Sequence, residues 1–266
     1  MTLVQASICE NGNTIIFIAD RMVSSSMGEY IQYEKEGNSS KIFRFKNNVI
    51  GFAGVLPDII KVKNRLELKD NFEEFLDNIL KVMKDIKDEE LERLIINESI
   101  WKNKEEFIQN QQICPPELKD FIFAKNAKSK LQINCLIAGF NKNNEAKIFS
   151  INNEYDVYDH SDLAYYSIGS GTPFSVIFFD QENYDNKCSL EEGLYFAYRA
   201  KKTAESHIGV GTQTDIIVLR KEDDPIIIYA DNDLMKMLES LYNEEKTGNY
   251  ELRKKIIIKI NLREVN

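Results

Sequence analysis

The sequence predicts an α+β protein in which helices stack on sheets, and three observations predict it. The first 56 residues read as short strands joined by turns, helical periodicity begins only after Pro57, and strands return in pairs from Leu131 onward. Strand pairs and helix pairs therefore come in blocks, which argues against an alternating βαβ arrangement. No repeat at solenoid period is visible.

Leu3 to Ile8 and Thr14 to Ala19 are strands separated by Cys9-Glu10-Asn11-Gly12-Asn13, as in a hairpin turn; Lys46-Asn47-Asn48 separates Lys41 to Phe45 from Val49 to Ala53 in the same way. Phe72, Phe75, Leu76, Ile79, Leu80 and Met83 then fall on one face of an amphipathic helix. The charged stretch that follows has a second helix suggested by Leu91, Leu94 and Ile95, with Cys114-Pro115-Pro116 as a stop. Part of it reads as a helical insertion at about 84–130, its charges a solvated face. Strands resume at Leu131 to Ala138, Ala146 to Ile151 and Ala164 to Ile168, and Gly169-Ser170-Gly171-Thr172-Pro173 opens a helix near Thr172. A helix from about Ser189 to Ser206 packs Leu190, Leu194, Ala197, Ala200 and Ala204, with Ser189 as N-cap. Strands at Asp215 to Leu219 and Pro225 to Ala230 precede a helix near Asp233 to Tyr242, and Lys255 to Ile260 is a last strand candidate. The expected organisation is one domain over 1–266 with that insertion and a C-terminal extension of about 231–266.

With 266 residues, 43% hydrophobic and 29% charged, and only 12 Gly and 5 Pro, the chain is not collagen-like or largely disordered. A formal charge of -9, spread along the sequence, repels phosphate backbones, so neither nucleic acid nor an anionic membrane is the expected partner. No apolar run approaches the roughly 18 residues of a membrane span, and Met1 to Ser7 lacks the basic flank of a signal peptide, so the expected location is cytoplasmic. Cys9, Cys114, Cys135 and Cys188 are scattered without a CxxC pair, which points to reduced thiols and to no metal site or cofactor. Two histidines, His160 and His207, leave little room for chemistry built on several imidazoles.

Ile18-Ala19-Asp20-Arg21, Ser40-Lys41-Ile42-Phe43 and Gly51-Phe52-Ala53-Gly54 end or open the second, third and fourth strands, and Gly169 to Phe174, Ser189 to Gly193 and Thr214 to Val218 follow in the second half. In this order and spacing they resemble the proteasome β-subunit family of N-terminal nucleophile hydrolases, over roughly residues 2–60 and 131–220. The resemblance implies a four-layer αββα sandwich. It also implies a threonine peptidase or amidohydrolase in which Thr2, exposed by removal of Met1, forms an acyl-enzyme with a peptide or protein substrate. Asp20 and Lys41 match the acid and lysine beside the threonine, Ser170 the serine near its amine, and Gly54 the glycine whose N–H meets the oxyanion. Phe52 and Leu56 would line an apolar substrate pocket, and Ser24 would hold the substrate backbone. Read singly, the Asp and Lys are also surface residues at strand ends, Gly54 a turn glycine and Phe52 a core residue.

An N-terminal threonine needs no histidine, because its own α-amine, with a reference pKa of about 7.7 to 8.0, takes the hydroxyl proton. Two departures stand against the pattern. The family's auxiliary Asp and Ser fall on His207 and Val210, and aligning Leu3-Val4 with the family's Ile-Val sets Met1 in the nucleophile position. A one-residue shift restores Thr2 but turns every side chain in the strand to the opposite face. The resemblance further implies a homo-oligomer, possibly ring-forming. A noncatalytic scaffold or ring subunit is the alternative, and a peptide ligase that passes the acyl group to an amine is a variant of the first reading. Ser170 as a serine-hydrolase nucleophile is disfavoured, since Gly-Ser-Gly is not a G-x-S-x-G elbow.

Overall fold

The computed structural model describes residues 2–27, 31–36, 40–128, 130–221, 226–229 and 232–259. Strands β1 (Val4–Cys9) and β2 (Thr14–Asp20) form the expected hairpin, with Val4 opposite Ala19 and Cys9 opposite Thr14. A ribbon of β3 (Met22–Met27) and β4 (Ile31–Glu36), not anticipated from the sequence, leads to β5 (Ile42–Phe45) and β6 (Asn48–Gly54). Helices α1 (Leu56–Lys63), α2 (Phe72–Glu98), α3 (Lys104–Asn110) and α4 (Pro116–Lys128) follow. Then come β7 (Ile133–Phe140), β8 (Ala146–Ile151), β9 (Val157–Asp159) and β10 (Tyr165–Ile168), helices α5 (Thr172–Gln181) and α6 (Leu190–Ala204), β11 (Thr214–Arg220), β12 (Ile226–Ile228) and α7 (Asp233–Lys259).

The strands make two antiparallel five-stranded sheets, ordered β10-β1-β2-β11-β12 and β5-β6-β7-β8-β9. The molecule is thus a mixed α+β structure, and its elements are layered. The sheets face each other through β1, β2 and β10 against β5 to β8, α5 and α6 cover the first sheet, and α1 and α2 cover the second. Two-sided cover explains why β1 and β2 are buried at every position: β2 reads as an apolar run from Ile15 to Ala19, while in β1 the polar Gln5 and Ser7 are buried along with their apolar neighbours. Three main cores result. One spans the first sheet, its helices and the space between the sheets; a second, with Phe52, Phe72, Phe75 and Ile79, lies under α1 and α2; a third gathers Ile95, Trp101, Phe107, Cys114 and Ile122 from the end of α2 to α4.

Helix ends follow the local chemistry. Ser189 accepts from the Glu192 N–H and Glu192 returns the bond to the Ser189 N–H, a complete capping box. Asn71 caps α2 by accepting from the Glu73 and Glu74 amides. Two sequence expectations are overturned. The helix carrying Phe72 to Met83 and that suggested by Leu91 to Ile95 are one continuous helix, because the apolar face carries through Ile86 into the third core without a breaker. The Lys255 to Ile260 strand is replaced by helix through Lys259, residue 260 lying outside the described residues; a short apolar run has no periodicity to separate helix from strand.

Candidate active site

Asp20 is the last residue of β2 and is fully buried, and the backbone of the adjacent β1 brings Leu3 and Thr2 beside it. Its carboxylate is surrounded by donors. Oδ1 accepts from the Leu3 N–H at 2.7 Å, from Thr2 Oγ1 at 2.6 Å and from Lys41 Nζ at 2.9 Å; Oδ2 accepts from the Met22 N–H at 2.9 Å and the Gly211 N–H at 3.0 Å. Lys41, just before β5, reaches across from the second sheet, its side chain 13% exposed, and also donates to Thr2 Oγ1. A carboxylate so deeply buried needs donors on both oxygens, and its bond to Lys41 holds the ammonium in place.

Thr2 itself is 4% exposed. Its N–H donates to Ser170 Oγ at 3.2 Å, while its carbonyl accepts from Ser170 Oγ at 3.4 Å and the Gly171 N–H at 3.2 Å. Ser170 and Gly171 precede α5, so the positive end of that helix points toward the threonine. Gly169 has φ +99°, and a Cβ there would lie 2.3 Å from the Thr2 carbonyl oxygen, so only glycine lets the β10–α5 turn close on Thr2.

The structure therefore joins Thr2, Asp20, Lys41 and Ser170 in one hydrogen-bonded group. Gly54 is joined to it by no hydrogen bond among the described residues. It ends β6 at φ +140°, where a Cβ would lie 2.1 Å from the Gln132 carbonyl oxygen. Leu56 opens α1 and is half exposed. Phe52 is wholly buried in the second core, its ring 6.0 Å from that of Phe43. Ser24 lies on β3 opposite Glu34, its side chain outside the described residues, as is Met1.

Sequence reasoning missed several supports. Arg21 clasps Asp215 through Nε at 2.9 Å and Nη2 at 2.5 Å, tying the end of β2 to the start of β11. Both residues stand within the motifs that carry the resemblance, but nothing in the sequence says that they meet. Val210 packs with Leu3 and Ala204 in a small apolar cluster behind Thr2. His207, in the turn after α6, accepts from the Gly209 N–H and has no bond to the Thr2 group among the described residues. No His/Cys/Asp/Glu cluster suited to a metal ion occurs among the described residues.

No protein-family model and no curated protein matches the chain. Solved structures do. An Anbu helical assembly from Pseudomonas aeruginosa is similar with a TM-score of 0.66 and 13% identity, covering 96% of each chain. Anbu (ancestral beta-subunit) from Yersinia bercovieri is similar with a TM-score of 0.62 and 13% identity, over 94% of this chain and 97% of that one. Anbu from Hyphomicrobium sp. strain MC1 gives 0.62 and 14%, over 98% of both. These findings correct the proteasome β-subunit assignment: the neighbours found are Anbu proteins, and at 13–14% identity the likeness shows a shared fold and not membership of a family.

Proposed function

We propose that the chain is a threonine-type peptidase or amidohydrolase in which Thr2, its amine freed by loss of Met1, forms an ester with an acyl group and passes it to water. On this reading the layered arrangement is the four-layer αββα sandwich of the N-terminal nucleophile hydrolases. The observation that carries the proposal is the Thr2 hydroxyl held between Asp20 and Lys41 with its nitrogen on Ser170.

The Thr2 amine takes the hydroxyl proton as Oγ1 attacks a substrate carbonyl, and returns it to the leaving amine as the C–N bond breaks. Water then adds to the ester carbonyl as the amine takes its proton; the C–Oγ1 bond breaks, the carboxylic acid leaves, and Oγ1 receives that proton. Lys41 favours the developing alkoxide by its charge, and Asp20 fixes Lys41. We assign Gly54 to the oxyanion, Ser24 to the substrate backbone and Leu56 to an apolar substrate side chain; Phe52 is left to the core. A peptide or protein is the substrate class, with no cofactor. Intact-mass measurement is expected to show Met1 missing, and Thr2→Ala to abolish cleavage of apolar fluorogenic peptides. Full activity in that variant overturns the proposal.

Self-association belongs to the same proposal. Ile100 and Ile113 of the insertion are 90% and 76% exposed, and the similar Pseudomonas aeruginosa structure is a helical assembly of the Anbu complex. A monomer in native mass spectrometry overturns this part. The second reading, a noncatalytic assembly subunit, draws on one observation: Val210 packs with Leu3 and Ala204, an apolar group next to the residue that follows Thr2. Failure of a threonine-directed electrophile to label correctly processed protein favours it.

A further inference from the structure

Lys201 is the most deeply buried cation among the described residues, with its side chain 0% exposed, and nothing in the reaction above uses it. It stands in the last turn of α6 and points inward. Its ammonium donates to Glu205 Oε1 and, at 2.7 Å, to the carbonyl oxygen of Thr212. Glu205 is also bridged by Lys202 at 2.7 Å. A lysine does not enter a protein interior without such partners, since an unpaired buried charge is strongly destabilising.

What it holds is the loop from α6 to β11. Residue 211 of that loop donates its N–H to Asp20 Oδ2, and the very next residue, Thr212, gives its carbonyl to Lys201. Val210, one residue earlier, packs on Leu3. Of these three successive residues, one packs on Leu3 and two are fixed by a strand-borne carboxylate and a helix-borne ammonium. The charged groups around Lys201 are Glu205 and Lys202 from the end of its own helix and Asp20 from β2; around Thr2 they are Asp20 and Lys41. Burial pulls the Lys201 ammonium below the usual lysine range, while Glu205 and Asp20 favour its charge.

We infer that Lys201 is a positioning residue for the Thr2 site: by holding the Thr212 carbonyl it presents the Gly211 N–H to Asp20, and its cation adds to the positive charge around Asp20 and the Thr2 that Asp20 holds. The inference rests on the threonine-hydrolase reading.

The test uses the full chain with Met1 removed, as wild type, Lys201→Met and Lys201→Arg. Two readouts are needed: hydrogen exchange at the Gly211 amide, and the pH dependence of Thr2 acylation by a β-lactone followed by intact mass from roughly pH 6 to 10. Lys201→Met is expected to speed Gly211 exchange by about tenfold or more, and to move the rising limb of acylation to higher pH, because loss of a nearby cation eases protonation of the amine. Lys201→Arg, which keeps the charge, should return the limb toward its original position. Rates are normalised to the folded fraction, so a lysine that only stabilises the fold would lower the melting temperature and leave the limb unmoved. An unmoved limb, or unchanged Gly211 exchange, overturns the inference. A wild type that is never acylated overturns the threonine reading instead, and the Gly211 comparison still decides whether Lys201 holds the loop.

Discussion

Every residue of β1 and β2 is buried, whereas on α3 and α4 Phe107 and Ile122 are enclosed and Ile108, Phe121 and Phe123 remain about half exposed. The first region has a sheet partner on each edge, a second sheet on one face and helices on the other. The insertion has only its own small core, built on the far end of α2, with Trp101 packed edge-on against Phe107 at 5.3 Å. Chemistry can be held only in the first kind of setting. Thr2 lies just before β1 and Asp20 ends β2, strands paired on both edges, and such placement is what the hydroxyl of the proposed threonine hydrolase needs.

The severest challenge to this contrast is to disturb the site while sparing the fold. Lys41→Met is expected to lower kcat by about 10²-fold to 10³-fold with little change in KM, because the charge acts on the developing alkoxide; steady-state kinetics on a fluorogenic peptide checks it, and a change confined to KM would count against the assignment. Gly169→Ala should follow. Its backbone angle and the 2.3 Å approach to the Thr2 carbonyl mean that a methyl group must displace the threonine, costing about 1–3 kcal/mol in denaturant stability and most of the activity.

The insertion supplies the other side. Trp101→Ala is expected to cost about 3–5 kcal/mol within the third core, read as faster hydrogen exchange in α3, α4 and the second half of α2, with acylation of Thr2 by a β-lactone unchanged. Loss of labelling would show that the two regions are coupled. The smallest effect concerns His160, which accepts or donates at Ser150 Oγ across 2.8 Å and stacks on Tyr166, joining the second sheet to β10. Burial lowers its pKa below the ordinary histidine value. The folded state therefore binds the proton less readily than the unfolded chain, and its contribution is present above about pH 6.5 and is lost as pH falls below that. Denaturation curves between roughly pH 5 and 8 should show this shallow loss, and His160→Phe should flatten it.

Legibility in the sequence followed the range of the interaction. The β1–β2 hairpin and the Ser189 cap rest on contacts within a few residues, and the residues state them. The single long α2 was harder, since its second half is amphipathic toward a core made by the insertion itself. The ribbon of β3 and β4 carried no recognised signal. Thr2, Asp20, Lys41 and Ser170 were singled out only through the resemblance; no spacing in the chain says that residue 41 reaches residue 2. Phe52 shows the converse, a motif residue whose side chain the sheet turns into a core.

The block order of strands and helices, the local caps and turns, and the scarcity of histidine that an amine-based threonine site tolerates are all written in the linear chain. Which face each strand buries and which charges meet were settled by the tertiary fold alone. Lys201 marks the boundary: a lysine near a helix end reads as a solvated one, and its burial depends on Glu205 beside it and on the carbonyl of Thr212, which a loop brings back from 11 residues away. Local propensity acts between neighbours along the chain, whereas the field around Thr2 is assembled from two sheets and a helix that meet only when the whole chain has folded.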